Sequence, residues 1–106
     1  MAKETVNLSE INLDDLPERK SVYAIFAQSE SNLKPINCRY IGETDNLRER
    51  TKTHFSKNES NDCLKEFMQS NITKLMIYEL LPNSTKENRL EKENEWIKIY
   101  TPKCNK

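Results

Sequence analysis

Arg39-Tyr40-Ile41-Gly42-Glu43-Thr44-Asp45-Asn46-Leu47-Arg48-Glu49-Arg50-Thr51-Lys52-Thr53-His54 reads as the end of a strand, a turn and a helix. The strand part is Cys38 to Ile41. Gly42 is the only glycine in the chain. A lone glycine directly after a strand marks a place where a Cβ would clash or the backbone must turn sharply. Thr44 or Asp45 is placed to cap the helix that starts near Asn46 and runs to about Phe55. Leu47, Arg50, Thr51 and His54 recur at three and four residues and so share one helix face. A face turned toward a sheet normally carries apolar groups. This one carries an arginine and the only histidine, a departure that points to a site.

Working outward, Ser21 to Ala27 (SVYAIFA) is the clearest strand, with Tyr23 and Ile25 on one face and Val22, Ala24 and Phe26 on the other. Gln28 to Asn37 is a polar hairpin loop. It is too short for a crossover helix, so this strand and Cys38–Ile41 should be antiparallel. Beyond Phe55, Ser56 to Asn61 is a polar break. Asn61 or Asp62 caps a second helix with Leu64, Phe67 and Met68 on one face. Ile72 to Leu81 is a third strand. Ser84-Thr85-Lys86-Glu87 has the form of a capping box opening a last helix, which ends near Tyr100 before Thr101-Pro102. The expected architecture is therefore α+β: a small three-stranded antiparallel sheet flanked by helices, in the order β-β-α-α-β-α. Residues 1–15 form a loosely packed lead-in held by Val6, Leu8, Ile11 and Leu13, and residues 16–106 form the domain.

On the last helix Leu90, Glu93 and Ile97 fall on one face with Trp96 and Tyr100 beside them. A carboxylate on an inward face must be paired, protonated or metal-bound.

Composition narrows the options. The chain's 106 residues support one small domain. Basic and acidic residues number 17 each, so a nucleic-acid site must come from local clustering rather than overall charge. No apolar run reaches the length of a membrane span. Cys38, Cys63 and Cys104 are odd in number and lack metal-ligand spacing, which suggests a reducing cytoplasm, a small buried Cys38 and Cys104 as a tail residue.

Taken together, these pieces resemble the GIY-YIG nuclease domain. Ser21-Val22-Tyr23 stands where that family has Gly-Ile-Tyr, and Tyr40-Ile41-Gly42 matches its second signature. Asn46-Leu47, Arg50, His54 and Phe55 match the segment after it. Glu93 with Ile97 matches the helix carboxylate, and Pro102 and Asn105 match the closing residues. Ser21 for glycine should affect only packing. The hairpin loop is longer than usual. Glu43 stands where several members carry a lysine.

The resemblance implies hydrolysis of phosphodiesters, in DNA by expectation, with one divalent metal. Glu93 would be the hard-oxygen ligand of Mg²⁺ or Mn²⁺, and Arg50 the planar fork on the phosphate. Tyr23 or Tyr40 would act on the attacking water, with His54 as alternative base or relay. Asn105 would hold the site or a strand end by hydrogen bonds. These six groups are expected to converge on one face of the sheet. Lys20, Arg39, Arg48, Lys52 and Lys57 are candidates for a basic rim. Specificity would come from a homodimer or a protein partner, or be absent. A fold that kept binding but lost efficient catalysis is the competing reading.

Overall fold

The computed structural model describes residues 3–105. Four antiparallel strands form one sheet in the order β1-β4-β2-β3. They are β1 (Glu4–Leu8), β2 (Ser21–Gln28), β3 (Pro35–Thr44) and β4 (Lys74–Leu80). The helices are α1 (Leu47–Phe55), α2 (Asp62–Met68) and α3 (Lys86–Tyr100), with a short 3-10 helix over Glu10–Asp15.

The sheet has one strand more than the sequence predicts. The lead-in supplies β1, which pairs with β4 from Glu4 opposite Tyr78 to Leu8 opposite Lys74. ETVNL escapes a pattern search because an edge strand needs little apolar surface. Only Leu8 is buried and Val6 partly so.

β2 lies between β4 and β3 and is buried from Ser21 to Ala27. Its alternation divides the core as expected. Tyr23 and Ile25 pack with Leu47, Leu64, Phe67, Met68 and Met76 on the α1/α2 side. Val22, Ala24 and Phe26 pack with Ile41, Leu75 and Trp96 on the α3 side. Ser21 is also fully buried, and its hydroxyl has no hydrogen-bond partner among the described residues. Its effect therefore includes an unsatisfied polar group as well as packing.

β3 runs three residues beyond the expected Cys38–Ile41 at each end, so Gly42 lies within the strand rather than after it and the hairpin loop shortens to residues 29–34. Other boundaries differ by a residue or two. Asn46 caps α1, its side chain accepting from Glu49 N at 3.1 Å, while Thr44 Oγ1 accepts from Asn46 N. The capping box of α3 is formed by Thr85 and Asn88, one residue later than predicted. The inward face of α3 also differs. Arg89 and Trp96, seven residues apart, are buried with Glu93 half-buried between them, whereas Leu90 is exposed. The arginine is tolerated inside because Glu43 and Ser84 take up its donors.

The cysteines depart furthest from expectation. Cys63 on α2 and Cys104 form a disulfide across 41 residues, and Cys104 is fully buried. Reading the thiols one by one missed this, because nothing in the spacing brings the tail to α2. Cys38 is a buried free thiol, as expected, and burial pushes its pKa up to about 12. It should therefore resist alkylation in the native protein.

Candidate active site

Tyr23 and Gly42 face each other directly across β2 and β3. The reason for the lone glycine is steric. A Cβ on Gly42 would sit 2.5 Å from Tyr23 Oη and 2.7 Å from Cζ. Its backbone needs no positive φ, so close approach alone demands glycine. Tyr23 is fully buried and cannot swing away. Gly42→Ala should therefore overpack the core, lowering stability by about 1–3 kcal/mol in denaturant unfolding. It should lower activity as well, because the displaced ring is Tyr23.

The Tyr23 hydroxyl lies 2.6 Å from His54 Nε2, and His54 Nδ1 lies 2.5 Å from Glu59 Oε1. Glu59 Oε2 accepts from Asn61 N at 2.8 Å. His54 and Glu59 are both buried. Burial outweighs Glu59's influence and holds His54 below its ordinary pKa, favouring the neutral ring. Burial alone would raise Glu59, but the Asn61 N–H and His54 outweigh it and keep the carboxyl below its ordinary value. The roles follow. Nδ1–H donates to the Glu59 carboxylate, Nε2 accepts, and the Tyr23 hydroxyl donates. Burial, with Tyr40 adding to it, drives the Tyr23 pKa upward, so the phenol keeps its proton.

His54 and Glu59 both have depressed pKa values, so the sign is common to both. The unfolded chain binds more protons once pH drops below about 6.5 for the histidine and about 4.3 for the glutamate. Their stabilisation is present above those values and lost as pH falls. The unfolding temperature should decline through this window, and His54→Gln should remove its upper part.

The predicted face of α1 holds with one change. Leu47, Thr51 and His54 are buried, Thr51 bonding back to Leu47 O at 2.8 Å, while Arg50 is exposed. Burial works against the Arg50 charge, but the Tyr23 and Tyr40 phenols beside it more than compensate and raise its pKa. The Tyr40 ring stands 5.3 Å from that of His54 and 6.2 Å from that of Tyr23, and it is only partly buried. Of these two tyrosines, Tyr40 is thus the one that solvent can reach.

The six groups do not lie on one face of the sheet. Tyr23, Tyr40, Arg50 and His54 are on the α1 side, and Glu93 is on α3, across the sheet. Strand alternation explains the split: Tyr40 and Gly42 point one way, Ile41 and Glu43 the other. Glu43 therefore meets α3, pairing with Arg89 Nε at 2.9 Å and Lys86 Nζ at 3.9 Å. An open cleft of about 350 Å³ at this end of β3 is lined by Glu43, Thr44, Asp45, Arg50, Lys86 and Arg89. Burial and the Glu43 carboxylate raise the Glu93 pKa, with the Glu43 N–H and Lys86 pulling it partly back.

Asn105 reaches the outer side of β3. Its Oδ1 accepts from Ile41 N and its Nδ2 donates to Ile41 O, both at 2.8 Å. Cys104 N and Lys103 N bond to Arg39 O and Cys38 O. Of the basic candidates, Arg48 pairs with Glu18 and Lys52 with Asp14. Arg39 stacks over Phe67, while Lys20 is exposed. Glu59 was missed by sequence reasoning. A glutamate in a polar break gives no periodic signal, and only the fold brings it to His54.

The GIY-YIG catalytic domain model matches residues 19–106. The chain belongs to the GIY-YIG catalytic domain family. As a GIY-YIG member it is a nuclease domain of that type. It is similar to the UvrABC system protein C of Salinibacter ruber, 31% identical over 93 residues, 88% of this chain but 13% of that protein's length. Among solved structures, it resembles the GIY-YIG N-terminal endonuclease domain of UvrC from Thermotoga maritima. A point mutant bound to its catalytic divalent cation aligns over 93% of this chain and 99% of that one, with a TM-score of 0.63 and 18% identity. The magnesium-bound form aligns over 93% and 100%, with a TM-score of 0.59 and 20% identity. At these identities the GIY-YIG likeness shows the shared fold. Among the described residues, no helix is long and apolar enough to cross a membrane.

Proposed function

We propose that this chain is a divalent-metal-dependent endonuclease acting on DNA. The observation that carries the proposal is the buried Glu59–His54–Tyr23 chain of hydrogen bonds, with Arg50 between its tyrosine end and an open cleft. That is a proton-holding network beside an anion-binding fork, the pairing that phosphodiester hydrolysis requires.

In this reading Arg50 holds two phosphate oxygens. Tyr40 orients the attacking water, and Tyr23 with His54 fixes the Tyr40 ring and receives or returns protons behind it. Asn105 keeps the Tyr40–Gly42 backbone in place. Glu93 fits a metal. It is a half-buried carboxylate with a raised pKa and no ion pair among the described residues, so a cation would find a ligand without breaking a salt bridge. No group of three or more His, Cys, Asp or Glu is arranged for a metal among the described residues, so Glu93 would hold a hydrated Mg²⁺ or Mn²⁺ shared with the substrate. A bound cation would polarise the phosphate and offset its growing charge. Glu43 need not repel the substrate, because Arg89 and Lys86 offset it.

DNA would also contact Lys20, Arg39, Arg48 and Lys52, with Arg48 and Lys52 exchanging their acidic partners for phosphates. Zero net charge makes binding weak, so a second copy or a protein partner would supply specificity. A cytoplasmic location goes with a DNA substrate, although the Cys63–Cys104 bridge removes the cysteine argument for a reducing compartment. The same zero net charge favours the second reading, a module that binds nucleic acid without cleaving it.

Plasmid nicking at low salt with Mg²⁺ or Mn²⁺, repeated with a chelator, tests the reading. Nicking abolished by chelation supports it. Inactivity of the folded protein on plasmid, single-stranded DNA and RNA moves the assignment to the binding module.

A further inference from the structure

We propose that Glu59 is a positioning residue for the reaction: it fixes the His54 ring in the Nδ1–H tautomer, and thereby aims the Tyr23 proton at Nε2. The proposal rests on the nuclease reading for its catalytic meaning, but its structural half stands alone.

Three observations carry it. Glu59 bonds His54 through one oxygen and Asn61 N through the other, so its carboxylate is fixed from both sides. Asn61 is in turn the cap of α2 and donates to Cys104 O, which anchors the arrangement to the tail. Glu59 is 6% exposed and His54 1%, so water does not compete for either ring nitrogen. A buried imidazole with a fixed acceptor on one nitrogen has a fixed tautomer, and the other nitrogen can then only accept. The charged and titratable groups facing the ring are Glu59, Tyr23 from β2, Tyr40 from β3 and Arg50 on α1 itself. Of these only Glu59 is a carboxylate. The proton balance follows: the Tyr23 phenol stays protonated at rest and gives its proton to Nε2 only as it takes one from the reacting water's side. The net result is a proton on His54 with Nδ1–H still hydrogen-bonded to Glu59, and the reverse step restores the start.

Glu59→Gln keeps the size of the side chain and an acceptor for Asn61 N, but removes the charge that dictates the tautomer. With one histidine in the sequence, its ring nitrogens can be followed by NMR without ambiguity. The wild type should show the Nδ1–H tautomer. Glu59→Gln should show a mixture, with a lower His54 pKa because the carboxylate that raises it is gone. Plasmid nicking by Glu59→Gln should fall about 10- to 100-fold at unchanged KM, and Glu59→Asp should recover part of the loss. Wild-type nicking by a folded Glu59→Gln, or an Nε2–H ring in the wild type, would overturn the proposal. If the wild type cleaves no nucleic acid, the nuclease reading fails, and the spectra alone then decide whether Glu59 sets the tautomer.

Discussion

Arg50→Ala should lower the rate of metal-dependent plasmid nicking by a factor on the order of 10²–10³, with little change in stability. Arg50 is exposed on α1 and makes no ion pair among the described residues, so the fold loses little when it goes. Its head group sits beside Tyr23 and Tyr40 and lines the cleft. It would meet a phosphate whose charge grows during hydrolysis, and a planar fork matches that geometry in a way a lysine does not. Arg50→Lys should therefore remain well below wild type. Glu93→Ala should remove the metal dependence as well, leaving background nicking that neither Mg²⁺ nor Mn²⁺ stimulates. Nicking unchanged in either variant would place the reaction elsewhere. Both proteins should unfold at near-wild-type temperatures, which separates this result from simple loss of structure.

Reducing the Cys63–Cys104 bond should cost about 2–4 kcal/mol of stability, the size expected when a closed loop of this length is released in the unfolded chain. For a domain of this size each kcal/mol shifts the unfolding temperature by roughly 4–8 °C. Thermal unfolding with and without reductant, and of Cys63→Ser, measures it. Cys63 is the better position to change because it is half-buried, whereas a serine at fully buried Cys104 would add an unmatched hydroxyl. Activity should fall as well, since residues 103–105 hold the backbone of Cys38, Arg39 and Ile41. Identical unfolding curves in both conditions would show that the bridge contributes nothing in solution.

The parts of this fold that were legible share a cause: they depend on neighbours in sequence. The alternation in Ser21–Ala27, the Asn61 cap and the three-four spacing of Leu47, Thr51 and His54 are local and pointed to β2, α2 and α1, although the cap of α1 is Asn46 rather than the expected Thr44 or Asp45. β1 was not legible because one buried leucine makes no pattern. The pairing of Cys63 with Cys104, of Glu43 with Arg89 and of His54 with Glu59 depends on where distant or irregular segments come to rest. For the candidate site, Gly42, Arg50, His54 and Glu93 stood out as glycine, polar or charged exceptions to an apolar rule, whereas Tyr23 and Tyr40 read as ordinary strand residues until the family resemblance picked them out. Glu59 lies outside any helix or strand, where no rule exists for it to break. The opposite facing of Gly42 and Glu43 could have been read from the strand, since they are consecutive, but the side that Glu93 takes depends on where α3 packs.

The tail along β3 also bears on how two copies of this chain could meet. An outer strand offers a row of unpaired N–H and C=O groups on which another molecule can build. On β3 that row is occupied from Cys38 to Ile41 by the chain's own Lys103, Cys104 and Asn105. A self-association that extends the sheet must therefore start from the other margin, at β1. That strand is only five residues long and carries a glutamate at its first position, a poor template for growth. Cutting the tail after Pro102 would uncover the β3 margin and turn a closed border into an adhesive one.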